Sequence, residues 1–156
     1  MRRKTWIRTV GAWLLAASVT GAIGSLVQTQ FNLAAVASLD GPVPFHLRIE
    51  TTMLDLAGFA PALALIVAVG FAIAFPVAAW LARRWRLGSV PRLLLYALAG
   101  ATAVATPIFL MNHLLSMAPI AATRDTAGLL LLCSGGALGG SLFAALVDAD
   151  RASAMA

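Results

Sequence analysis

Four long runs of apolar residues divide the sequence, and polar or charged positions bound each of them. They cover residues 9–27, 56–82, 93–111 and 127–147, and none contains a charged side chain. A helix needs about 20 apolar residues to cross the hydrocarbon core of a bilayer. The pattern therefore predicts an all-α, polytopic membrane protein: a four-transmembrane-helix bundle that forms one integral membrane domain over residues 1–156.

The first run follows a basic segment, a pattern that is also typical of a cleaved signal peptide. Small residues at Ala16, Ala17 and Ser18 could serve as a cleavage site. The apolar run continues past them to Val27, which favours an uncleaved first span.

Residues 28–55 are predicted to form a long first loop between spans one and two. Residues 28–39 extend the first helix out of the membrane or form a short second helix on its surface, and Asp40-Gly41-Pro42 ends either version. Residues 43–50 alternate between apolar and polar positions, which predicts an extended segment. A capping hydroxyl at Thr52, followed by Asp55, predicts the start of the second span.

Composition supports the membrane interpretation, since 61% of the residues are hydrophobic and only 11% are charged. A soluble chain of this size has too little interior to bury so much apolar surface. The net charge of +5 comes from basic residues beside apolar runs, which indicates membrane orientation and not nucleic-acid binding. One lysine against ten arginines, with abundant alanine, favours a bacterial origin.

The basic residues also predict an orientation. Nine of the eleven lysines and arginines lie in the N-terminal segment, the second loop or the C-terminal tail, and the other side has only Arg48 and Arg124. The positive-inside rule places both termini in the cytoplasm and residues 28–55 in the periplasm, across a bacterial inner membrane. The four tryptophans fall at the cytoplasmic ends of their helices, as an interfacial belt would.

Polar side chains gather on the predicted outer face, while the spans contain no ionisable acid, base or histidine that would mark a proton relay. The candidate binding or lid cluster is His46, Arg48, Glu50, Asp55, Asn112, His113, Arg124 and Asp125. We expect either a solvated rim whose charges pair, with an arginine bridge from Arg124 to Asp55 or from Arg48 to Asp125, or a binding site that faces the periplasm.

The residue types at this face suit two chemistries, and neither has a matching motif. A metal site would use His46 and His113 with Asp55 or Asp125, or with Met111 and Met117 for copper. A paired-acid hydrolase would use Asp55 and Asp125, but no aspartate-centred motif surrounds either residue. The single cysteine, Cys133, is interpreted as a packing residue. No catalytic residue, metal or cofactor is predicted.

The fourth span contains small residues at four-residue spacing, the pattern through which membrane helices pack closely. The pairs are Gly135 with Gly139 and Gly136 with Gly140. They either join the four helices of this chain or form a face for another membrane protein or a second copy. The leading hypothesis is a small non-catalytic accessory or scaffold subunit that packs laterally through this helix. The alternative is a periplasm-facing binding or transport module for a lipid, a quinone or a metal ion.

Overall fold

A computed structural model describes residues 2–115 and 120–153 and shows four long α-helices. A short 3₁₀ turn, Ala121–Arg124, precedes the last helix. The helices are α1 (Arg2–Asp40), α2 (Phe45–Arg84), α3 (Ser89–Leu115) and α4 (Thr126–Ser153). All four are long and apolar enough to cross a membrane. The predicted fold class, an all-α four-helix membrane bundle, is confirmed.

Short connections make sequence neighbours antiparallel, so the chain runs up, down, up and down. Helix α1 packs on α2 and α4, and α3 packs on α2 and α4. The first residue of α1 and the last residue of α4 lie at one end of the bundle, which we call the terminal end. The opposite end, where α1 connects to α2, is called the hairpin end.

The first two helices continue beyond the other two at the hairpin end. Helices α1 and α2 have 39 and 40 residues, against 27 in α3 and 28 in α4. The side-chain oxygen of Gln28 accepts a hydrogen bond from the Ala122 N–H at 3.0 Å, which places the 3₁₀ turn level with Gln28. The residues beyond this level, 29–40 of α1 and 45–55 of α2 with their connection, form a helical hairpin, hereafter the hairpin.

The hairpin replaces the predicted loop over residues 28–55. Helix α1 is continuous to Asp40, which confirms one of the two predicted alternatives, and Gly41 has a φ of +91°. Within residues 28–55 only 41–44 are non-helical, and Pro44 occupies the N-cap position of α2. The predicted extended segment over 43–50 is therefore wrong from Phe45 onward, and the predicted helix start at Thr52 comes seven residues late. The segment 43–50 has only eight residues. Over so short a length, alternating apolar and polar positions do not distinguish a strand from a helix that has apolar residues on several sides.

The core combines small residues with one aromatic cluster nearer the terminal end. The rings of Phe71 and Phe75 stack at 4.3 Å, and those of Phe75 and Phe143 stack at 4.5 Å. Tyr96 meets Phe75 edge to face at 5.6 Å. Elsewhere helices approach backbone to backbone. A Cβ atom placed on Gly21 would lie only 2.7 Å from Ala64 Cβ, so α1 and α2 meet where neither has a large side chain.

Candidate functional site

Asp55 lies at the base of the hairpin, where α1 and α2 leave the bundle. The Thr29 hydroxyl donates to Asp55 Oδ2 at 2.7 Å and also lies 2.9 Å from the Ser25 carbonyl oxygen. A hydroxyl has one proton, so Thr29 donates to one of these acceptors at a time. Because Thr29 is fully buried and Asp55 half-buried, this contact joins the two helices at the level where the bundle ends.

Asp125 begins the fourth helix and does not bridge the loops. Its Oδ1 accepts a hydrogen bond from the Ala127 N–H at 3.3 Å, the contact of a helix N-cap. Arg124 ends the 3₁₀ turn and is exposed. The two predicted bridges are therefore not the contacts that the carboxylates make. Asp55 instead accepts a hydrogen bond from Thr29, and Asp125 caps its own helix.

His46, Arg48 and Glu50 lie on the first turns of α2, inside the hairpin. His46 and Glu50 are exposed and Arg48 is half-buried. His46 precedes Asp55 by nine residues, or about 14 Å along the helix axis. These side chains therefore belong to the hairpin and do not converge with Asp55 on one point.

The end of α3 holds the remaining two predicted residues. The His113 ring is exposed and lies parallel to the Phe109 ring at a centroid distance of 6.3 Å. Asn112 is half-buried, and its Oδ1 has no hydrogen-bond partner among the described residues. No group of three or more histidine, cysteine or acidic side chains that could hold a metal ion exists within residues 2–115 and 120–153. Met111 is half-buried, and Met117 lies outside the described residues.

A small cavity lies between the helices below the hairpin. Thr20, Gln28, Phe59 and Ile120 are among its lining residues, and its volume is about 20 Å³. That volume holds about one water molecule. A quinone or a lipid tail does not fit in it in this conformation.

The four glycines of α4 pack against the chain's own helices. A Cβ on Gly136 would lie 2.5 Å from the Gly100 carbonyl oxygen of α3, and one on Gly140 would overlap the Tyr96 carbonyl oxygen. On the other side, a Cβ on Gly139 would overlap the Thr20 hydroxyl of α1, and one on Gly135 would meet Ile23 at 3.0 Å. Of the two predicted uses of these glycines, the structure shows the internal one, and all four are buried.

The hairpin carries an exposed apolar stripe that the sequence interpretation missed. Phe45, Ile49 and Met53 are spaced four residues apart on α2, and their exposed fractions are 77%, 46% and 58%. Residues at this spacing lie on one face of a helix. Two of these residues, Phe45 and Ile49, also belong to the alternation over 43–50 that predicts an extended segment. Their four-residue spacing was the signal for a helical stripe, and we call Phe45, Ile49 and Met53 the hairpin stripe.

Comparisons with protein-family models, with curated protein sequences and with solved structures give no match to this chain. The fold therefore defines the class by itself. The chain is a multi-pass helical membrane protein, and each of its four long helices is long and apolar enough to contain one span.

Proposed function

We propose that this protein is a non-catalytic membrane adaptor whose hairpin binds another integral membrane protein. The observation that carries the proposal is the hairpin stripe, an apolar face on a part of the chain that extends past the bundle. The accessory-subunit hypothesis thus keeps its function class but moves to a different surface. The glycine face of α4 is occupied by α1 and α3, and the stripe is open.

Helix lengths support a position of the hairpin outside the bilayer. Helices of 27 and 28 residues are about 40 Å long, enough for a hydrocarbon core of about 30 Å. The 12 residues of α1 beyond Gln28 add about 18 Å. The hairpin stripe therefore faces water in this proposal. A contiguous apolar patch in contact with water is typical of an interaction surface, whereas scattered single apolar residues are not.

The size of the stripe favours a partner in the same membrane. Three side chains cover much less than the area that a stable complex between free proteins buries, which is about 1,600 Å². A partner confined to the same bilayer is already concentrated near the hairpin, so a small contact suffices. The exposed polar residues His46 and Glu50 would then form the rim of the contact.

The orientation proposed with this function places the hairpin in the periplasm of a bacterium and both termini in the cytoplasm. Arg83, Arg84, Arg86 and Arg92 lie at the terminal end, whereas Arg48 and Arg124 lie at the hairpin end. Trp6, Trp80 and Trp85 are exposed at the terminal end. Basic loops on the cytoplasmic side and interfacial tryptophans beside them are both general features of inner-membrane proteins.

The alternative of a periplasm-facing binding or transport module has less support. Two of its predicted residues, Asp55 and Asp125, bond the chain's own groups, and the cavity below the hairpin has room for about one water. No observation at the hairpin end favours a lipid, a quinone or a metal ion there.

Photo-crosslinking in cells tests the proposal. A photoreactive amino acid replaces Phe45 or Met53, and two control positions are His46, which lies on the hairpin outside the stripe, and Val69, which is exposed in the middle of α2. We expect one protein adduct of defined mass at the two stripe positions, identified as an integral membrane protein, and neither control gives it. The double variant Phe45→Ser with Met53→Ser should lose co-purification of the same protein while the bundle stays folded.

Three outcomes contradict the proposal. Adducts with lipid alone at Phe45 and Met53 would mean that the stripe lies in the bilayer. The same protein adduct at Val69 would mean that the bundle, not the hairpin, carries the contact. An adduct with a second copy of this chain would mean that the stripe forms a dimer contact and does not bind a different protein.

A further inference from the structure

A polar pocket opens at the terminal end, between the ends of α2, α3 and α4. Its volume is about 270 Å³, close to the lower limit of pockets that bind small molecules, about 300 Å³. Three arginines line it: Arg83 in the last turn of α2, Arg86 in the turn after it, and Arg92 in the first turn of α3. Asp148 of α4 is the one carboxylate among the lining residues. The charged side chains of the pocket thus have an excess of two positive charges.

The three arginines differ in their partners. Arg92 forms an ion pair with Asp148, and its Nε donates to Asp148 Oδ2 at 3.1 Å. Both side chains are largely covered, with exposed fractions of 22% and 26%. Within the described part of the chain, no carboxylate pairs with Arg83 or Arg86. Two guanidinium groups are thus available to an anion, and the third is fixed in position beside them.

Arg86 stands at a position where the backbone favours glycine. The Leu87 N–H donates to the Ala82 carbonyl at 3.0 Å and the Arg86 N–H to the Arg83 carbonyl at 3.3 Å. These two bonds form a Schellman motif, whose central residue adopts a left-handed conformation. Arg86 has a φ of +50°, a conformation that disfavours side chains other than glycine. An arginine at this position therefore carries a local conformational cost that glycine would not, and its side chain lines the pocket.

The pocket also has an apolar wall and lies at an interfacial depth. Small side chains at Ala79, Ala82 and Ala144 leave room beside the buried ring of Tyr96. Trp80 and Trp85 are exposed at the same helix end. Tryptophans prefer the head-group layer of a bilayer, so the pocket opens where lipid phosphates are found.

We propose that this pocket binds a phosphate group, supplied by the head-group of an anionic phospholipid or by a free phosphate ion. Guanidinium groups form paired hydrogen bonds with phosphate oxygens, and basic pockets between membrane helices bind anionic head-groups in general. Arg83 and Arg86 provide the charge, and the Arg92–Asp148 pair holds the opposite wall. This inference concerns the terminal end and is independent of the proposed function of the hairpin.

Native mass spectrometry of the full chain in detergent tests the pocket. The probes are phosphatidylglycerol, phosphatidylcholine with the same acyl chains, and inorganic phosphate alone. The pocket variants are Arg83→Gln and Arg86→Gly. Arg84→Gln is the matched control, because Arg84 is exposed at the same helix end but does not line the pocket.

We expect phosphatidylglycerol to bind more tightly than phosphatidylcholine. Each pocket variant should lower the affinity for phosphatidylglycerol about fivefold, the usual contribution of one basic side chain near a membrane surface. The control variant should leave this affinity unchanged. Arg86→Gly should weaken binding without lowering the melting temperature, because glycine suits the left-handed position. This combination separates loss of binding from loss of folding.

Inorganic phosphate distinguishes the two sources. Suppose that inorganic phosphate binds the wild-type chain, that both pocket variants weaken this binding, and that phosphatidylglycerol binds no more tightly than phosphatidylcholine. The pocket then binds the free ion. The proposal is overturned if neither phosphate nor phosphatidylglycerol binds more tightly than phosphatidylcholine, or if Arg84→Gln weakens binding as much as the pocket variants do.

Discussion

The bundle and the hairpin are built from the same two helices, yet different side chains hold them together. In the bundle, α1 meets α2 through Gly21 against Ala64, and nearly no side chain separates the backbones. In the hairpin, the same helices are joined by polar contacts, Thr29 to Asp55 at 2.7 Å and Gln30 to Thr52 at 3.3 Å. Lipid gives no hydrophobic force between helices, so close backbone contact replaces it there. The change from small to polar contacts is what we expect if the two helices leave the lipid at this level.

The exposed surfaces of the two regions look alike and differ in meaning. Leu65 and Ile73 of the bundle are 71% and 68% exposed, and Phe45 of the hairpin is 77% exposed. In the bundle such residues meet lipid, which is as apolar as they are. In the hairpin they would meet water, and a contiguous apolar face in water calls for a partner. This difference between the two surfaces depends on whether the bilayer ends below the hairpin.

The largest expected effect is a difference in reporter activity between the hairpin and the terminal end, which we expect to lie on opposite sides of the membrane. Alkaline phosphatase fused after Gly41 should be active and the same reporter fused after Gly88 should be silent, because the enzyme works only in the periplasm and the basic loop stays in the cytoplasm. Colony colour and enzyme assays on membranes give the answer. Activity after Gly88 would reverse the orientation of both regions.

The next effect concerns the packing of the bundle. Gly136→Ile should cost at least about 3 kcal/mol of stability, because the new side chain must separate α4 from the Gly100 carbonyl. Gly58→Ala is the control, since nothing lies within 4 Å of a Cβ there, and its stability should stay the same or rise slightly. Melting temperatures in mild detergent measure both. A variant at Gly136 that melts like the wild type would remove close packing as the basis of the bundle.

A smaller effect tests the joint between the two regions. Thr29→Val removes the bond to Asp55 and should cost about 1 kcal/mol. Thr106→Val is matched to it, since Thr106 also bonds the carbonyl four residues earlier, at 2.8 Å, but bonds no other helix. Thermal unfolding of the pair separates the interhelix bond from the local one. Equal losses in both variants would show that Thr29 does not join the helices.

Sequence patterns predicted the bundle well, because the bilayer imposes a simple length requirement on apolar runs. They predicted the extension of α1 only as one of two alternatives, and they predicted neither the helical residues 45–51 of α2 nor the pocket. Residues 43–50 have a two-residue alternation, and the decisive fact, that α1 continues as a helix past Gln28 and is bonded to α2 through Thr29 and Gln30, is a tertiary one. The apolar residues Phe45, Ile49 and Met53 fit a strand as well as a helix until that partner is known.

The candidate site shows the same limit. The predicted polar residues lie at one end of the bundle, but their partners depend on three-dimensional packing that the sequence pattern does not contain. Asp125 capped its own helix, and Asp55 met Thr29. The glycines of α4 were correctly identified as packing residues, but spacing alone does not tell an internal neighbour from an external one. The left-handed backbone of Arg86 has no signal in the sequence, because the residue there is not glycine.

The position of the hairpin relative to the bilayer is the central claim, and spin-label accessibility in liposomes measures it most directly. Cys133 is the single cysteine, so a Cys133→Ser background allows labels to be placed one at a time at Phe45→Cys, Met53→Cys and Val69→Cys. We expect the two hairpin labels to be reached by a water-soluble nickel complex and the Val69 label to be reached by dissolved oxygen. Hairpin labels with the oxygen-rich, nickel-poor profile of Val69 would place the stripe in lipid and contradict the account.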